Sequence, residues 1–282
     1  MWKIDDEINF FKNSLNGNFA NTNKIFYNIQ GKNLAYIPKG VNIKPPTLQS
    51  RNSLIGNYTE TWCQKLLSNI AKKFNLFAVN NVICQEIGLI SSSSADLAFC
   101  TTPDIIQEPK NIKIIFEIKM SIVNNYELKS NGEIVYIGDK NTHIASPSLI
   151  RSDSVLKAIG KAINIRVSGS EAEKIPFVIL GNTNISKNYE IKIDNLGQSG
   201  VLQKVLNLNS DNNLKCNSPL KIFQTPKNTS ELENILSDIL KQDLHYFSAM
   251  IDKEKLSKII KKSANEKEVA NTFLKLIKEI NN

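Results

Sequence analysis

Asp96 and the pair Glu117 and Lys119 are the residues best placed to do chemistry in this sequence. Asp96 falls in ADLAF, residues 95–99, and the pair falls in IKIIFEIKMSI, residues 112–122. Side chains alternate along a strand, so Glu117 and Lys119 share one face while Ile118 takes the other. Ile114, Ile115 and Phe116 precede them without alternation, as in a central strand covered on both sides. A carboxylate and an ammonium buried there are costly unless something offsets them. Two carboxylates on adjacent strands suit a hard divalent ion, typically Mg2+, which prefers oxygen ligands and keeps several waters. Such an ion neutralises a phosphate and activates a bound water. A neighbouring lysine can orient that water and stabilise the transition state. The set suits phosphodiester hydrolysis, which needs no histidine, and the chain has only two.

The carboxylate partner of Glu117 has a weaker alternative in Asp104, which follows Pro103 in the stretch TTPDIIQEPKN, residues 101–111. Asp96 is preferred because apolar residues follow it in a strand pattern. Asp104 sits between prolines, where Asp is common for turn reasons.

These residues need elements to hold them. Trp62, Leu66, Ile70 and Phe74 recur at helical spacing over 56–74, with Asn57 or Thr59 as candidate caps. Residues 75–90 read as one or two strands, 91–94 as a serine turn, 95–99 and 112–122 as strands, and 123–146 as loop with a short hairpin. The spacing predicts a helix over 146–165, with Ser146 as N-cap, Pro147 at the first helical position, and Leu149, Val155, Leu156, Ile159 and Ile163 on its apolar face. IPFVILGN, residues 175–182, is a buried strand. Residues 4–14 read as a short helix, 15–31 as Asn- and Gly-rich loop, and 33–38 as extended. Two or three helices are expected over 229–281. The order defines an α/β core with a central mixed sheet flanked by helices and a helical C-terminal region. Residues 1–50 are expected to be an N-terminal extension, 51–206 the core, and 207–282 a mainly helical region packed on it, with 207–219 as candidate linker.

In this order the motifs resemble the PD-(D/E)xK nuclease superfamily, and specifically type II restriction endonucleases, over residues 56–182. GNYTE opening an amphipathic helix, ADLAF, FEIK, PSLIRSDSVLKAIGKA and IPFVILGN carry the resemblance. One departure is Ala95, which stands where the family motif has proline. The resemblance implies a restriction-endonuclease-like core in which Asp96 and Glu117 bind Mg2+, Lys119 acts on the attacking water, and Glu60 supports a metal or its water. It also implies cleavage of double-stranded DNA at a short specific sequence, a homodimer, and a DNA methyltransferase as functional counterpart. Its alternatives are a structure-specific or repair nuclease on the same core, or a non-catalytic DNA-binding protein in which the triad does not converge.

A net charge of +8 over 282 residues suits a polyanionic partner. Arg151, Lys157 and Lys161 on the helix 146–165, with Arg166 at its end, are candidate DNA contacts, Lys157 and Lys161 sharing a face. The loop 124–146, with His143, is a candidate groove reader. Lysines 255, 258, 261 and 262 read as a solvated face. Cys63, Cys84, Cys100 and Cys216 form no CxxC pair and read as free buried thiols. No long apolar run and no basic, apolar leader is present, so a cytoplasmic location and no membrane partner are expected.

Overall fold

A computed structural model describes residues 1–16, 22–44, 46–209, 217–246 and 251–281. In chain order it contains α1 (Ile4–Asn16), α2 (Thr22–Ile25), β1 (Tyr27–Ile29), β2 (Lys32–Leu34), α3 (Gln49–Lys73), β3 (Phe77–Val82), β4 (Ala95–Cys100) and β5 (Ile112–Ile118). There follow β6 (Asn125–Leu128), β7 (Ile134–Gly138), α4 (Ser152–Ser168), β8 (Phe177–Gly181), α5 (Lys187–Gln198), β9 (Lys204–Asn207), β10 (Phe223–Gln224), α6 (Thr229–Leu240), α7 (Lys253–Ala264) and α8 (Val269–Asn281). The chain divides into two compact units, Met1–Leu244 and His245–Asn282.

The first unit is built on a six-stranded sheet of order β10-β9-β8-β5-β4-β3. β10, β9, β8 and β5 run parallel to one another, while β4 and β3 are antiparallel additions beyond β5. The sheet is therefore mixed, and the expected α/β architecture with flanking helices is present. β5 lies at its centre, with Ile114, Ile115 and Phe116 inaccessible to solvent. Its near-continuous apolar character follows from cover on both faces. Ile114, Phe116 and Ile118 join Leu97, Phe99, Val178 and Leu180 in one core with Ile55, Cys63, Leu67 and Ile70 of α3.

A second sheet, β1-β2-β6-β7, is antiparallel throughout. Its first hairpin lies partly in the Asn- and Gly-rich stretch expected to be loop. Gln30 and Gly31 both take positive φ between Ile29 and Lys32, the geometry of a two-residue turn that glycine eases. Sequence composition hides such short strands. The N-terminal helix is tied to this region by Glu7, whose buried carboxylate accepts from Trp2 Nε1, Val123 N, Asn124 N and Tyr126 OH.

Two helix starts differ from expectation. α3 begins at Gln49, ahead of the apolar periodicity, and neither Asn57 nor Thr59 caps it. Arg51 holds that early turn by donating to the carbonyls of Ile25 and Ala35. α4 begins at Ser152, after a separate 3-10 turn over Ser148–Ile150, with Arg151 in extended conformation. Ser146 and Pro147 therefore precede the 3-10 turn rather than open the helix. Pro147 is the residue before it.

The second unit holds α7 and α8, and Asp252 caps α7 by accepting from Lys255 N. Among the described residues no helix is long and apolar enough to cross a membrane. Cys63, Cys84 and Cys100 are free and buried. Burial raises the thiol pKa of all three, with Cys84 pushed up to about 12. Cys216 and most of the candidate linker lie outside the described residues.

Candidate active site

The site forms where β4 and β5 part. Their ladder pairs Leu97 with Phe116, and the same register carried one residue further sets Asp96 beside Glu117. At that point the amide of Ile118 donates to Asp96 Oδ2 at 2.7 Å. The carboxylate thus takes an N–H that a strand partner would otherwise satisfy. On the other side of the strand, Lys119 N donates to Leu180 O at 2.7 Å, which carries the alignment with β8 past the end of β5.

Around this junction four charges meet. Lys119 Nζ lies 2.5 Å from Glu117 Oε1 and 3.8 Å from Asp96 Oδ2. Lys161 Nζ lies 2.6 Å from Glu117 Oε2 and 3.3 Å from Asp96 Oδ1. Each ammonium therefore faces one oxygen of each carboxylate. The Glu117 side chain is 5% exposed, that of Lys161 15% and that of Asp96 18%. Lys161 approaches Glu117 Oε2 off the line that a hydrogen bond needs, and this buried oxygen has no other partner. Burial, and then the charge of Asp96, raises the Glu117 pKa. Burial alone would depress Lys161, but Glu117 and Asp96 outweigh it and raise the lysine. Glu60, half-buried on α3, is also raised, first by burial and next by Asp96. It senses the charges of all four residues.

The backbone leaving β5 is fixed from below. Ser148 Oγ donates to Lys119 O at 2.6 Å and accepts from Asn182 N. Asn182 Nδ2 donates to Ser121 O, and its Oδ1 accepts from Ser121 N. Ser148 holds a left-handed φ of 52°, uncommon for a residue with a side chain. Beside Lys119 opens a cleft of about 230 Å³ lined by Asn52, Ser121, Ser146, Arg151 and Ser154.

The sequence-predicted residues are thus distributed unequally. Asp96, Glu117 and Lys119 come together, with Glu60 near enough to feel their charges. Asp104 is exposed, and its backbone carbonyl, not its carboxylate, is engaged, by Gln107. Among the described residues, the ion pairs of Lys119 and Lys161 run to Asp96 and Glu117 and none to Asp104. Arg151 and Lys157 are exposed and both pair with Asp153. Lys161 is turned inward. Its helix buries Val155, Ala158, Ala162 and Ile165, while Leu156 and Ile163 of the expected apolar face are exposed.

Two other candidates are internal. Arg166 is buried and donates to Val201 O, Ala172 O and Gln203 Oε1, so it is not a surface contact. His143 is buried and stacked on Tyr36. Its Nδ1 accepts from Ala145 N, which leaves Nε2 to donate to Val123 O. A histidine so enclosed does not read a groove.

Sequence reasoning missed Ser148 and Asn182 as supports and Lys161 as a member of the cluster. Only Lys161 left a signal. It shares helical spacing with the buried Ala158 and Ile165, and a lysine beside that face needs a buried partner.

The donor set fits a small divalent ion. Asp96 and Glu117 aim one oxygen each at a single cationic point, the Lys161 ammonium. Among the described residues no three His, Cys, Asp or Glu side chains gather as a metal-ligand group. Two carboxylates are nevertheless what Mg2+ commonly takes from a protein, since it keeps waters and borrows phosphate oxygens from substrate. The chain matches no family model, no curated protein and no solved structure.

Proposed function

We propose that this chain is a Mg2+-dependent deoxyribonuclease of the PD-(D/E)xK type, and specifically a type II restriction endonuclease cutting double-stranded DNA at a short sequence. The observation that carries the reading is the convergence of Asp96 and Glu117, from adjacent strands, on one cation. In this reading the mixed sheet around β5 is a restriction-endonuclease-like core. Asp96 and Glu117 would hold Mg2+, which when bound neutralises the scissile phosphate and makes its water a nucleophile near neutral pH.

The protein's own groups supply the rest. Lys119 is held by Glu117 Oε1, so its ammonium is aimed before substrate arrives and can orient the attacking water and oppose phosphate charge. Glu60, whose pKa is raised by burial and by Asp96, lies within electrostatic reach of the cluster and would support the metal or its water. Arg151 and Lys157 are free to swing towards phosphates, because exposed pairs such as theirs with Asp153 are weak. The polar cleft beside Lys119 would receive the neighbouring nucleotide. Cutting both strands of a symmetric site implies a homodimer, and the restriction reading implies a protective methyltransferase.

A second reading draws on the same cluster. The convergence of the triad goes against a non-catalytic DNA-binding protein with scattered residues, and what is left of that alternative is a purely structural ion network in which two lysines already neutralise two carboxylates. Incubating the full chain with unmethylated phage DNA and Mg2+ separates the two. Discrete fragments are expected, absent with EDTA and absent for Asp96→Asn. Lys119→Ala is expected to slow cutting by on the order of a hundredfold or more. Asp104→Asn is expected to cut like the wild type. Intact DNA across many substrates and salt concentrations would remove the nuclease reading and favour the structural one.

A further inference from the structure

The four carboxylate oxygens of the site are not equivalent. Asp96 Oδ2 is engaged by the Ile118 amide at 2.7 Å and faces Lys119. Glu117 Oε1 is held by Lys119 at 2.5 Å. That leaves Asp96 Oδ1 and Glu117 Oε2 as the oxygens open to a shared cation, and Lys161 Nζ stands at 3.3 and 2.6 Å from them. Glu117 Oε2 is buried and lacks a hydrogen-bond partner of good geometry. Its affinity for a positive charge is therefore high and is met by the Lys161 ammonium alone. Lys161 comes from a different element, on a helix face otherwise made of Val155, Ala158, Ala162 and Ile165. It reaches the carboxylates across the helix–sheet interface rather than along the strand.

We infer that Lys161 is a built-in competitor for the divalent cation, a positioning residue whose ammonium must leave Asp96 Oδ1 and Glu117 Oε2 before a metal ion can bind there. The inference rests on Asp96 and Glu117 being the cation ligands. It has two physical consequences. Without an outside cation the two carboxylates are kept from repelling each other, so the site holds its shape. With one, the ion must displace an ammonium at close range, so affinity is lower than the carboxylates alone would give. The displaced lysine stays tethered by its flexible four-carbon stem and keeps its charge at the site.

The test is calorimetric titration of the full-length protein with Mn2+, with no DNA present. Lys161→Met is expected to bind Mn2+ about tenfold or more tightly than the wild type, because a close unit charge no longer competes. Mn2+ should also raise the melting temperature of Lys161→Met by more than that of the wild type. A double variant, Lys161→Met with Asp96→Asn, should lose the binding. Unchanged or weaker Mn2+ affinity in Lys161→Met, while Asp96→Asn still abolishes binding, would overturn the inference and leave the nuclease reading intact. Mn2+ binding that ignores Asp96→Asn in every background would instead overturn the ligand assignment, and the inference with it. Should Lys161→Met not fold, lysine side-chain nitrogen NMR of the wild type serves in its place, with Lys161→Arg identifying the resonance. Added Mg2+ is expected to shift the Lys161 ammonium signal and speed its exchange with water. A signal that stays fixed at saturating Mg2+ overturns the proposal.

Discussion

Lys157 and Lys161 stand four residues apart on one helix and meet opposite surroundings, the first 71% exposed and the second 15%. Their types and spacing are the same to a reader of the sequence. What separates them is the identity of the residues flanking each around the helix, since Ala158, Ala162 and Ile165 mark the face that approaches the sheet. The expected apolar face took in Leu149 and Val155, which are buried, but also Leu156 and Ile163, which are exposed. The residues on β4 and β5 were more legible, because a charged pair ending an apolar strand has few structural explanations. His143 offers a prediction at this scale. Burial holds its pKa below the ordinary value, so the folded protein favours neutral imidazole. An unfolded histidine takes up its proton near pH 6.5. The stability that neutral His143 allows is therefore complete above about that pH and is lost as pH falls through it towards the lower folded value. Urea unfolding at pH 7.5 and 5.5 should show the wild type losing more stability than His143→Gln, by at most about 1.4 kcal/mol per pH unit. Equal losses in the two proteins would show that His143 does not couple to folding.

Element by element, β4, β5 and β8 of the main sheet announced themselves, while β9, β10 and the boundaries of the helices did not. β4, β5 and β8 are apolar runs between turn residues, a signal that burial on both faces makes strong. The start of α3 is held by Arg51 and the carbonyls of Ile25 and Ala35, partners 26 and 16 residues away. No local pattern encodes such contacts. The delayed start of α4 has a similar origin. Residues 148–150 turn separately because Thr183 Oγ1 accepts from the amides of Leu149 and Ile150. That turn lies close under the end of β8. A Cβ on Gly181 would fall 2.3 Å from Leu149 Cγ, too near for any carbon pair. Gly181→Ala should therefore cost about 1–3 kcal/mol in denaturant unfolding. Adding Leu149→Ala, which removes the obstructing atoms, should make the two changes less costly together than their sum. Strict additivity would mean that the glycine is there for another reason.

For the molecule as a whole, the division at Leu244 and His245 sets what the site depends on. Asp96, Glu117, Lys119 and Lys161, with Ser148 and Asn182 beneath them, all belong to the first unit. A chain ended at Leu244 should therefore unfold cooperatively and keep the near-UV circular dichroism of its buried aromatic residues. Loss of that signal would show that residues 245–282 are required for the fold of the first unit. The charge of the whole chain indicated a polyanionic partner and no more, because +8 spread over 282 residues does not say which surface carries it.

The Glu7 clamp has a consequence for synthesis. Residues 2–7 leave the ribosome well before their partners, which are Val123, Asn124, Tyr126 and, for the amide of Trp2, the carbonyl of Leu208. At typical rates of translation the carboxylate of Glu7 waits on the order of ten seconds for its donors to be made. Throughout that interval Trp2, Phe10 and Phe11, all destined for the core, lack their final cover. The clamp can close only after Tyr126 of β6 has been translated, so the burial of this segment is a late step of synthesis.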